Sequence, residues 1–231
     1  MDVPSKSQVK KAGSTIRKCF RGEIDDPDVF QRATEVMDSW RRSHYQPLVT
    51  SNNGLRSMAR TVSVRAEVTQ RLKRRQTILD KLKREPTLDL SRMQDFAGCR
   101  AVVDDMDDLR RLEARLVLNR KPVGYADYIV TPRSSGYRGV HVIVEYQERQ
   151  VEVQLRTRWM HEWALSAEHY SGILGENLKQ DGSHPIQLFL AAASDMMALK
   201  AVGDPIPTEL VELHQQRRIE AAASLTSKGQ S

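Results

Sequence analysis

The stretch VEVQLRTRWMHEWA, residues 151–164, contains the strand on which the predicted sheet and the predicted site both depend. Its first six residues alternate, which predicts that three apolar side chains share one face of a strand and three polar side chains share the other. The polar side chains are Glu152, Gln154 and Arg156. Because these residue types have low strand propensity, their face is either solvated or lines a site. The alternation alone leaves both explanations open.

The composition is that of a folded, water-soluble protein. The chain has 231 residues, with 39% hydrophobic and 29% charged residues, enough for one large or two small domains. The longest apolar run, near residues 188–193, is far shorter than the roughly 20 residues of a membrane span, so no membrane partner is expected. The N-terminus lacks the apolar core of a signal peptide, which predicts a cytoplasmic location. Cys19 and Cys99 lack metal-ligand spacing and are read as free thiols.

Positive charge is concentrated in the N-terminal half of the chain. The net charge is +6, and residues 56–84 contain ten Arg and Lys against two acids. Residues 1–24 contain six basic residues against two acids. A field of one sign attracts the phosphates of nucleotides or RNA, although a solvated helix face is the plainer explanation for a single basic run.

Hydrophobic periodicity and the positions of Gly and Pro predict an α/β chain. Helices are predicted over residues 28–46, 61–85, 106–119 and, with breaks, 157–223. Strands are predicted over residues 98–105 and 126–132, followed by a hairpin of 140–146 and 150–156. Directly joined strands pair antiparallel, whereas a strand–helix–strand crossing gives a parallel pair, so a mixed sheet flanked by helices is expected. We divide the chain into a basic helical region (1–55), a catalytic core (56–171) and C-terminal helices with a tail (172–231), forming one compact unit.

The basic segment contains a regular polar spacing. Lys73, Thr77 and Lys81 recur every four residues, so on a continuous helix they would share one face. At a rise of ~1.5 Å per residue the row is about 11 to 13 Å long, enough to follow a triphosphate. A solvated helix face is the competing explanation.

Two carboxylates and one arginine suggest metal-assisted chemistry. Asp95 lies just before a buried strand that begins at Gly98, a common place for a metal ligand and also for a turn residue. Arg100 lies within the apolar run of that strand and needs a partner there. Asp95 and Glu152, facing a basic row, suggest Mg²⁺-dependent phosphoryl-type transfer.

The loop RSSGYRG, residues 133–139, is rich in Gly and Ser and is expected to bring backbone close to a ligand. Tyr137 would project from it as a stacking platform, unless the segment is an ordinary hairpin loop.

Other nucleotide and metal motifs are absent from the sequence. There is neither a GxxxxGK[ST] nor a GxGxxG motif, and His161-Glu162 lacks the second His of a zinc-protease helix, since Leu165 stands there.

Four segments together resemble the synthetase domain of the RelA/SpoT family, in particular the small alarmone synthetases. They are RLKRRQTILDK (71–81), DFAGCR (95–100), DYIVTPRSSGYRGVH (127–141) and VEVQLRTRWMHEWA (151–164). The resemblance covers about residues 56–171. It implies a five-stranded mixed sheet of the nucleotidyltransferase type and transfer of the β,γ-pyrophosphate of ATP to a ribose 3′-hydroxyl.

The resemblance also implies roles on the donor side of the reaction. Arg71 and Arg100 would sandwich the adenine of ATP. The ATP phosphates would be held by Lys73, Thr77 and Lys81. Thr77 stands where the family usually has Ser, which keeps the hydroxyl group.

For the chemical step, the resemblance implies that Asp95 and Glu152 bind Mg²⁺. Glu152 would also take the proton from the attacking hydroxyl. Gln154 and Arg156 would shape the site beside Glu152.

On the acceptor side, the resemblance implies that Tyr137 stacks on the acceptor base while Arg133 and His141 contact acceptor phosphates. Arg133 replaces the usual Lys, Ser135 a common Asn and Gly139 a common Ser. These three departures from the family pattern all lie on the acceptor side.

One branch of the small synthetases resembles toxins that pyrophosphorylate the 3′-terminal adenosine of tRNA instead of GDP or GTP. A basic N-terminus would suit the phosphates of a tRNA acceptor stem. The candidate contacts are Lys6, Lys10, Lys11, Arg17, Lys18 and Arg21. We favour tRNA over GDP/GTP, the competing explanation being a disordered basic tail on an alarmone synthetase.

The partners expected from the resemblance are ATP with Mg²⁺ and the acceptor. For a toxin, a neutralising antitoxin protein is also implied. The C-terminal helices would serve homo-oligomerisation or antitoxin contact, and DNA is not expected as a partner. The remaining alternative is a catalytically inactive nucleotide- or RNA-binding module, and the presence of both carboxylates and the basic row argues against it.

Overall fold

A five-stranded mixed sheet forms the centre of the computed structural model, which describes residues 3–62, 65–179 and 182–228. The strands are β1 (Glu67–Leu72), β2 (Ala97–Val103), β3 (Gly124–Asp127), β4 (Val140–Tyr146) and β5 (Arg149–Thr157). Their order in the sheet is β1-β2-β5-β4-β3. β2 and β5 run parallel, while the other neighbouring pairs run antiparallel. The predicted fold class, a mixed sheet flanked by helices, is confirmed.

Helices surround this sheet. They are α1 (Lys6–Phe20), α2 (Pro27–Arg42), α3 (Tyr45–Arg60), α4 (Arg75–Arg84), α5 (Met106–Asn119), α6 (Arg158–Leu174), α7 (Pro185–Val202) and α8 (Thr208–Lys228). A single 3₁₀ turn, Leu90–Arg92, follows α4. The predicted helix over 106–119 and the predicted hairpin of β4 and β5 are confirmed.

Alternation along the strands sorts the side chains onto two faces of the sheet. The apolar face packs against α3 and α5 and includes Cys99, Val142 and Val153, all nearly inaccessible to solvent. The opposite, polar face carries the polar residues of β5. In the strand register, Gln154 lies between Arg100 of β2 and His141 of β4, so candidate site residues from three strands share this face.

The helix predicted over residues 61–85 is wrong in its first half, where Glu67–Leu72 forms strand β1. Val68 and Leu72 pack against the core of the apolar face, and the backbone pairs with β2. This pairing outweighs the helical propensity of the basic residues. Lys73 lies in the link after β1, where its N–H donates to the Phe96 carbonyl at 2.8 Å. The predicted row on one helix face is therefore wrong for Lys73, while Thr77 and Lys81 lie on α4.

Two further boundaries differ from prediction. The helix predicted over 28–46 ends at Arg42, and a separate helix, α3, runs through Pro47 and the SNNG segment. Pro47 is tolerated because it is the third residue of α3, where the missing N–H has no partner within the helix. The strand predicted over 126–132 ends at Asp127, whose Oδ1 accepts hydrogen bonds from the backbone of Ile129 and Val130 at 2.8 and 3.1 Å.

Helix α7 extends well beyond the short apolar run noted near residues 188–193 and is apolar over most of its length. By length and composition alone, its 18 residues could cross a membrane. It packs against α6 and α8, where Ile186 and Leu190 are buried in a common core. That core also contains Tyr137 of the Gly- and Ser-rich loop, so the C-terminal helices support the candidate site.

Candidate active site

A closed cycle of hydrogen bonds joins five side chains beside the polar face of the sheet. Oε1 of Glu152 lies 2.9 Å from Nδ1 of His141, whose Nε2 lies 2.6 Å from the Tyr137 hydroxyl. Nη2 of Arg156 donates to that hydroxyl at 2.9 Å and to Oε1 of Gln154 at 2.8 Å. Nε2 of Gln154 donates to Oε2 of Glu152 at 2.7 Å and closes the cycle. The structure thus brings together five residues that the sequence had singled out.

The cycle has a direction. Arg156 can only donate and an ionised Glu152 can only accept. The bonds between them are all satisfied when His141 carries its proton on Nδ1 and the Tyr137 hydroxyl donates to Nε2; we assign this tautomer from the hydrogen-bond pattern. The cycle therefore links a buried cation to a carboxylate through two relays, one by Tyr137 and His141 and one by Gln154.

This arrangement keeps Glu152 ionised. Burial alone would raise its pKa, but the hydrogen bond and electrostatic interaction with His141, the hydrogen bond from Gln154 and the charge of Lys73 outweigh burial and lower the pKa to about 2. The side chain is 18% exposed, so a substrate atom can reach it. A carboxylate with so low a pKa is a weak base while it keeps both donors, and it is well suited to attract a cation.

The second carboxylate, Asp95, is paired with two lysines. Nζ of Lys73 lies 2.6 Å from Oδ2, and Nζ of Lys81 lies 3.3 Å from Oδ1. Because the charge of Lys73 also lowers the pKa of Glu152, its ammonium group lies near both carboxylates. Thr77 is one turn before Lys81 on α4 and is exposed. Lys73 and Lys81 therefore converge on one point although they come from different elements.

The donor set at this point suits a magnesium ion bound together with phosphate. Mg²⁺ is commonly held by one or two carboxylates, with phosphate oxygens and waters completing its shell. Asp95 and Glu152 supply such carboxylates, and the ammonium group of Lys73 already pairs with Asp95 and acts through its charge on Glu152. Across the described ranges, no group of three or more His, Cys, Asp or Glu is arranged to hold a metal without a substrate.

The prediction that Tyr137 projects from its loop is wrong. Its side chain is 3% exposed and packs edge-on against Tyr128 and Trp163. The loop is pressed against α7. Gly136 has φ +86°, and a Cβ there would lie 2.7 Å from the Cα of Ala191. In this conformation the Tyr137 ring is part of the core and cannot stack on a base.

The loop has further anchors that the sequence did not reveal. Arg138 donates from Nη2 to Asp195 at 2.8 Å and from Nε to Ser194 at 3.2 Å, both on α7. Arg133, a predicted acceptor residue, donates to the Tyr128 hydroxyl at 2.9 Å and lies over that ring. Arg133 and His141 thus both contact Tyr128, since His141 also meets this ring edge-on at 5.1 Å.

Arg71 and Arg100, the predicted adenine residues, share the polar face. In the register of β1 and β2, Arg71 pairs with Gly98 and Arg100 with Thr69, so the two arginines are two residues apart on neighbouring strands. Arg71 is exposed, whereas Arg100 is partly buried. Their role in binding adenine stays a prediction.

An ion pair between Glu168 and Lys179, which interacts with the charge of Arg100, was not predicted from the sequence. Glu168 of α6 bonds to Nζ of Lys179, and burial lowers the pKa of Lys179 to about 8 even though Glu168 opposes the shift. The charges of Arg156 and Arg100 also lower this pKa. The backbone carbonyl of Lys179 accepts a 3.0 Å hydrogen bond from Ser135, which ties this segment to the Gly- and Ser-rich loop. No motif marks Lys179, so no pattern in the sequence could have located it.

The basic N-terminal segment forms a folded helix. Val9, Ala12 and Ile16 of α1 are buried. The explanation of this segment as a disordered tail is therefore wrong for α1. Among the predicted tRNA contacts, Lys10 lies 3.8 Å from Asp89, Arg17 bonds to the Leu88 carbonyl, and Lys11 and Lys18 are exposed.

Comparison with known proteins agrees with this architecture. Residues 70–171 match the model described as the region found in RelA/SpoT proteins. The GTP pyrophosphokinase YjbM of Bacillus subtilis is 34% identical over 129 residues, which cover 48% of this chain and 61% of that protein. A GTP pyrophosphokinase of Photobacterium angustum is 26% identical over 155 residues, 62% of this chain and 20% of that protein. The matches thus span less than two thirds of these relatives.

Solved structures extend the likeness to the fold. The small alarmone synthetase 1 of Bacillus subtilis, bound to its product pppGpp, has a TM-score of 0.62 at 24% identity over 78% of this chain and 98% of that chain. A GTP pyrophosphokinase family protein of Streptococcus pneumoniae has a TM-score of 0.60 at 22% identity over 80% and 96% of the two chains. The protein therefore carries, in residues 70–171, the region found in RelA/SpoT proteins, on the fold of the small alarmone synthetases.

Proposed function

We propose that the protein is an ATP-dependent pyrophosphokinase that transfers the β,γ-pyrophosphate of ATP to a ribose 3′-hydroxyl. The observation that carries this proposal is that Lys73, which lies 2.6 Å from Asp95, also acts through its charge on Glu152, so one cation serves both carboxylates. In the reaction, a bond forms between the 3′-oxygen and the β-phosphorus while the bond from the β-phosphorus to the α,β-bridging oxygen breaks. AMP leaves, and the 3′-hydroxyl loses its proton.

The residues around Asp95 would bind the donor phosphates. Lys73 and Lys81 would exchange Asp95 for phosphate oxygens, which leaves Asp95 and Glu152 to hold Mg²⁺. The ion would neutralise charge on the phosphates. Thr77, one turn before Lys81, would donate its hydroxyl to the same phosphate chain.

Glu152 would take the proton of the attacking hydroxyl. Its pKa of about 2 depends on donation from His141 and Gln154. If the substrate hydroxyl replaces one of these donors, part of that stabilisation is lost and the pKa of Glu152 rises. The exchange would make the carboxylate a stronger base where the proton is released.

The acceptor we propose first is a guanosine nucleotide, GDP or GTP. Both relatives named above are GTP pyrophosphokinases, and the solved synthetase holds pppGpp. In this chain the acceptor would lie near Arg133 and His141, which both contact Tyr128. The Tyr137 ring would join it only after the loop moves.

The second candidate acceptor is the 3′-terminal adenosine of tRNA, and the structure of α1 favours it. This helix has no acid in its first turn and presents exposed Lys6, Lys10, Lys11 and Lys18 on a packed scaffold. Phosphate contacts of this kind dominate the affinity of nucleic-acid complexes. A protein acting on tRNA would be a toxin, and a neutralising antitoxin would be its partner.

Transfer of label from γ-labelled ATP in the presence of Mg²⁺ distinguishes these acceptors. GDP, GTP and deacylated tRNA are offered separately. Label in guanosine tetra- or pentaphosphate supports the first acceptor, and label in tRNA alone supports the second. Label in none of them would refute the pyrophosphokinase.

A double variant isolates the contribution of α1. Lys11→Gln with Lys18→Gln should weaken transfer to tRNA and leave transfer to GDP unchanged. The matched control is Arg115→Gln with Lys121→Gln. It also removes two exposed positive charges, one within α5 and one just after it. Equal loss in both double variants would point to net charge rather than to contacts of α1.

A further inference from the structure

Three basic side chains near the hydrogen-bonded cycle keep buried nitrogen atoms without a partner in the described part of the chain. They are Arg156, with Nε and Nη1, Arg100, with Nε, and His161, with Nδ1. Arg156 is only 3% exposed. Guanidinium nitrogens can only donate, so the missing partner of both arginines is an acceptor.

The three groups come together because of the strand register and the start of α6. β2 and β5 are neighbours, with Arg100 opposite Gln154 and Arg156 opposite Val102, so the arginines are diagonal neighbours on the polar face. Helix α6 begins directly after β5, and His161 is its fourth residue. Burial and then the charges of Arg100 and Arg156 lower the pKa of His161, in keeping with this placement of the three groups.

In the described ranges, no carboxylate pairs directly with either arginine. Among the described residues, neither arginine forms an ion pair, and Arg156 reaches Glu152 only through the two relays. Glu168 raises the pKa of Arg100 through its charge, but it already bonds to Lys179. Buried charge without a counter-charge is unfavourable, so an anionic ligand would stabilise this cluster.

We propose that Arg100, Arg156 and His161 form an anion site that takes a phosphate group and protonates His161 when it fills. The phosphate has two sources, a nucleotide substrate of the proposed reaction or a free anion such as pyrophosphate. The site itself follows from the unpaired donors and does not require the proposed transfer activity.

Protonation of His161 follows from the charges that face it. These are Arg100 on β2, Arg156 on β5, Glu168 on α6 and Glu67 on β1. The two arginines lower the pKa of His161, while the two glutamates raise it. A bound phosphate offsets the arginines, so the pKa of His161 rises and protons are taken up with the anion.

Isothermal titration of the full chain with inorganic pyrophosphate at pH 7 tests this site. We expect the observed binding enthalpy to differ between phosphate-free buffers of low and high ionisation enthalpy, which reports proton uptake. His161→Gln should abolish that difference and weaken binding by about tenfold, as for loss of a charge-assisted hydrogen bond. His169→Gln, an exposed position on the same helix, should leave both unchanged.

Repeating the titration with ATP separates the two sources. Equal weakening for ATP and pyrophosphate in His161→Gln places a substrate phosphate in the site, whereas weakening for pyrophosphate alone assigns it to a free anion. A parent protein with buffer-independent enthalpy, or a His161→Gln variant that behaves like His169→Gln, would overturn the proposal. Both outcomes are binding measurements that require no turnover. The proposed function is tested separately, by the transfer of label.

Discussion

Nζ of Lys73 lies 2.6 Å from Oδ2 of Asp95, and neither residue belongs to a helix or strand. Lys73 follows β1, and Asp95 precedes β2. The pair therefore joins two loop ends at the edge of the polar face, beside Glu152. A phosphate that draws Lys73 away would expose a carboxylate to the accompanying metal ion.

Replacing Asp95 with Asn should remove the predicted metal ligand while keeping the shape of the side chain. We expect transfer from ATP to fall at least about 100-fold and to lose its dependence on Mg²⁺ concentration, because a neutral amide binds the ion poorly. Transfer rates measured against Mg²⁺ check this, with Asp107→Asn, exposed on α5, as control. A parental Mg²⁺ dependence in Asp95→Asn would exclude Asp95 as a ligand.

The variant Glu152→Gln should remain folded and lose transfer by about 10²- to 10⁴-fold, the range for removal of a general base. Gln keeps an acceptor for His141 but cannot take a proton. Transfer rate and circular dichroism are measured together, with Glu145→Gln, exposed on β4, as control. Activity within tenfold of the parent protein would contradict the role assigned to Glu152.

Removing the Tyr137 hydroxyl should destabilise the fold, because that oxygen bonds both His141 and Arg156. We expect Tyr137→Phe to lower the free energy of unfolding by about 1–3 kcal/mol, the cost of leaving buried polar atoms unpaired. Urea denaturation measures the change. Tyr45→Phe, at a position 54% exposed, should change little, and equal effects at both positions would refute the buried cycle.

His44 should make stability depend on pH. It is 3% exposed, and burial, with a smaller effect of Arg149, lowers its pKa from 6.5 to about 4 despite its hydrogen bond to the Trp40 carbonyl. The unfolded chain therefore binds more protons between these values, so the free energy of unfolding falls as pH drops from about 6.5 to 4. At about 1.4 kcal/mol per pKa unit the loss approaches about 3 kcal/mol.

Comparing the parent protein with His44→Gln isolates this contribution from that of other groups. Urea denaturation at several pH values should show a smaller loss of stability for the variant between pH 6.5 and 4. Parallel curves for the two proteins would mean that His44 titrates normally in the folded state.

The polar face was predictable because strand alternation is local. Glu152, Gln154 and Arg156 share a face in any strand, and the resemblance supplied their partners. Lys73 was predicted to lie on a helix because a basic segment without Gly favours helix formation. The preceding residues instead form a strand, because they pair with β2, which is distant in sequence. The loop that carries Tyr137 packs against α7, which lies far along the chain. Lys179 reaches the same loop from the link before α7. Neither contact could be predicted from residues that are close in sequence.

Transfer of label from the β-position of ATP tests the proposed activity most directly. A pyrophosphokinase moves the β- and γ-phosphates together, so β-label should appear in the acceptor with one AMP formed per product, and Glu152→Gln should abolish both. Formation of ADP with transfer of γ-label alone, or no consumption of ATP with GDP, GTP or tRNA present, would contradict the proposed function.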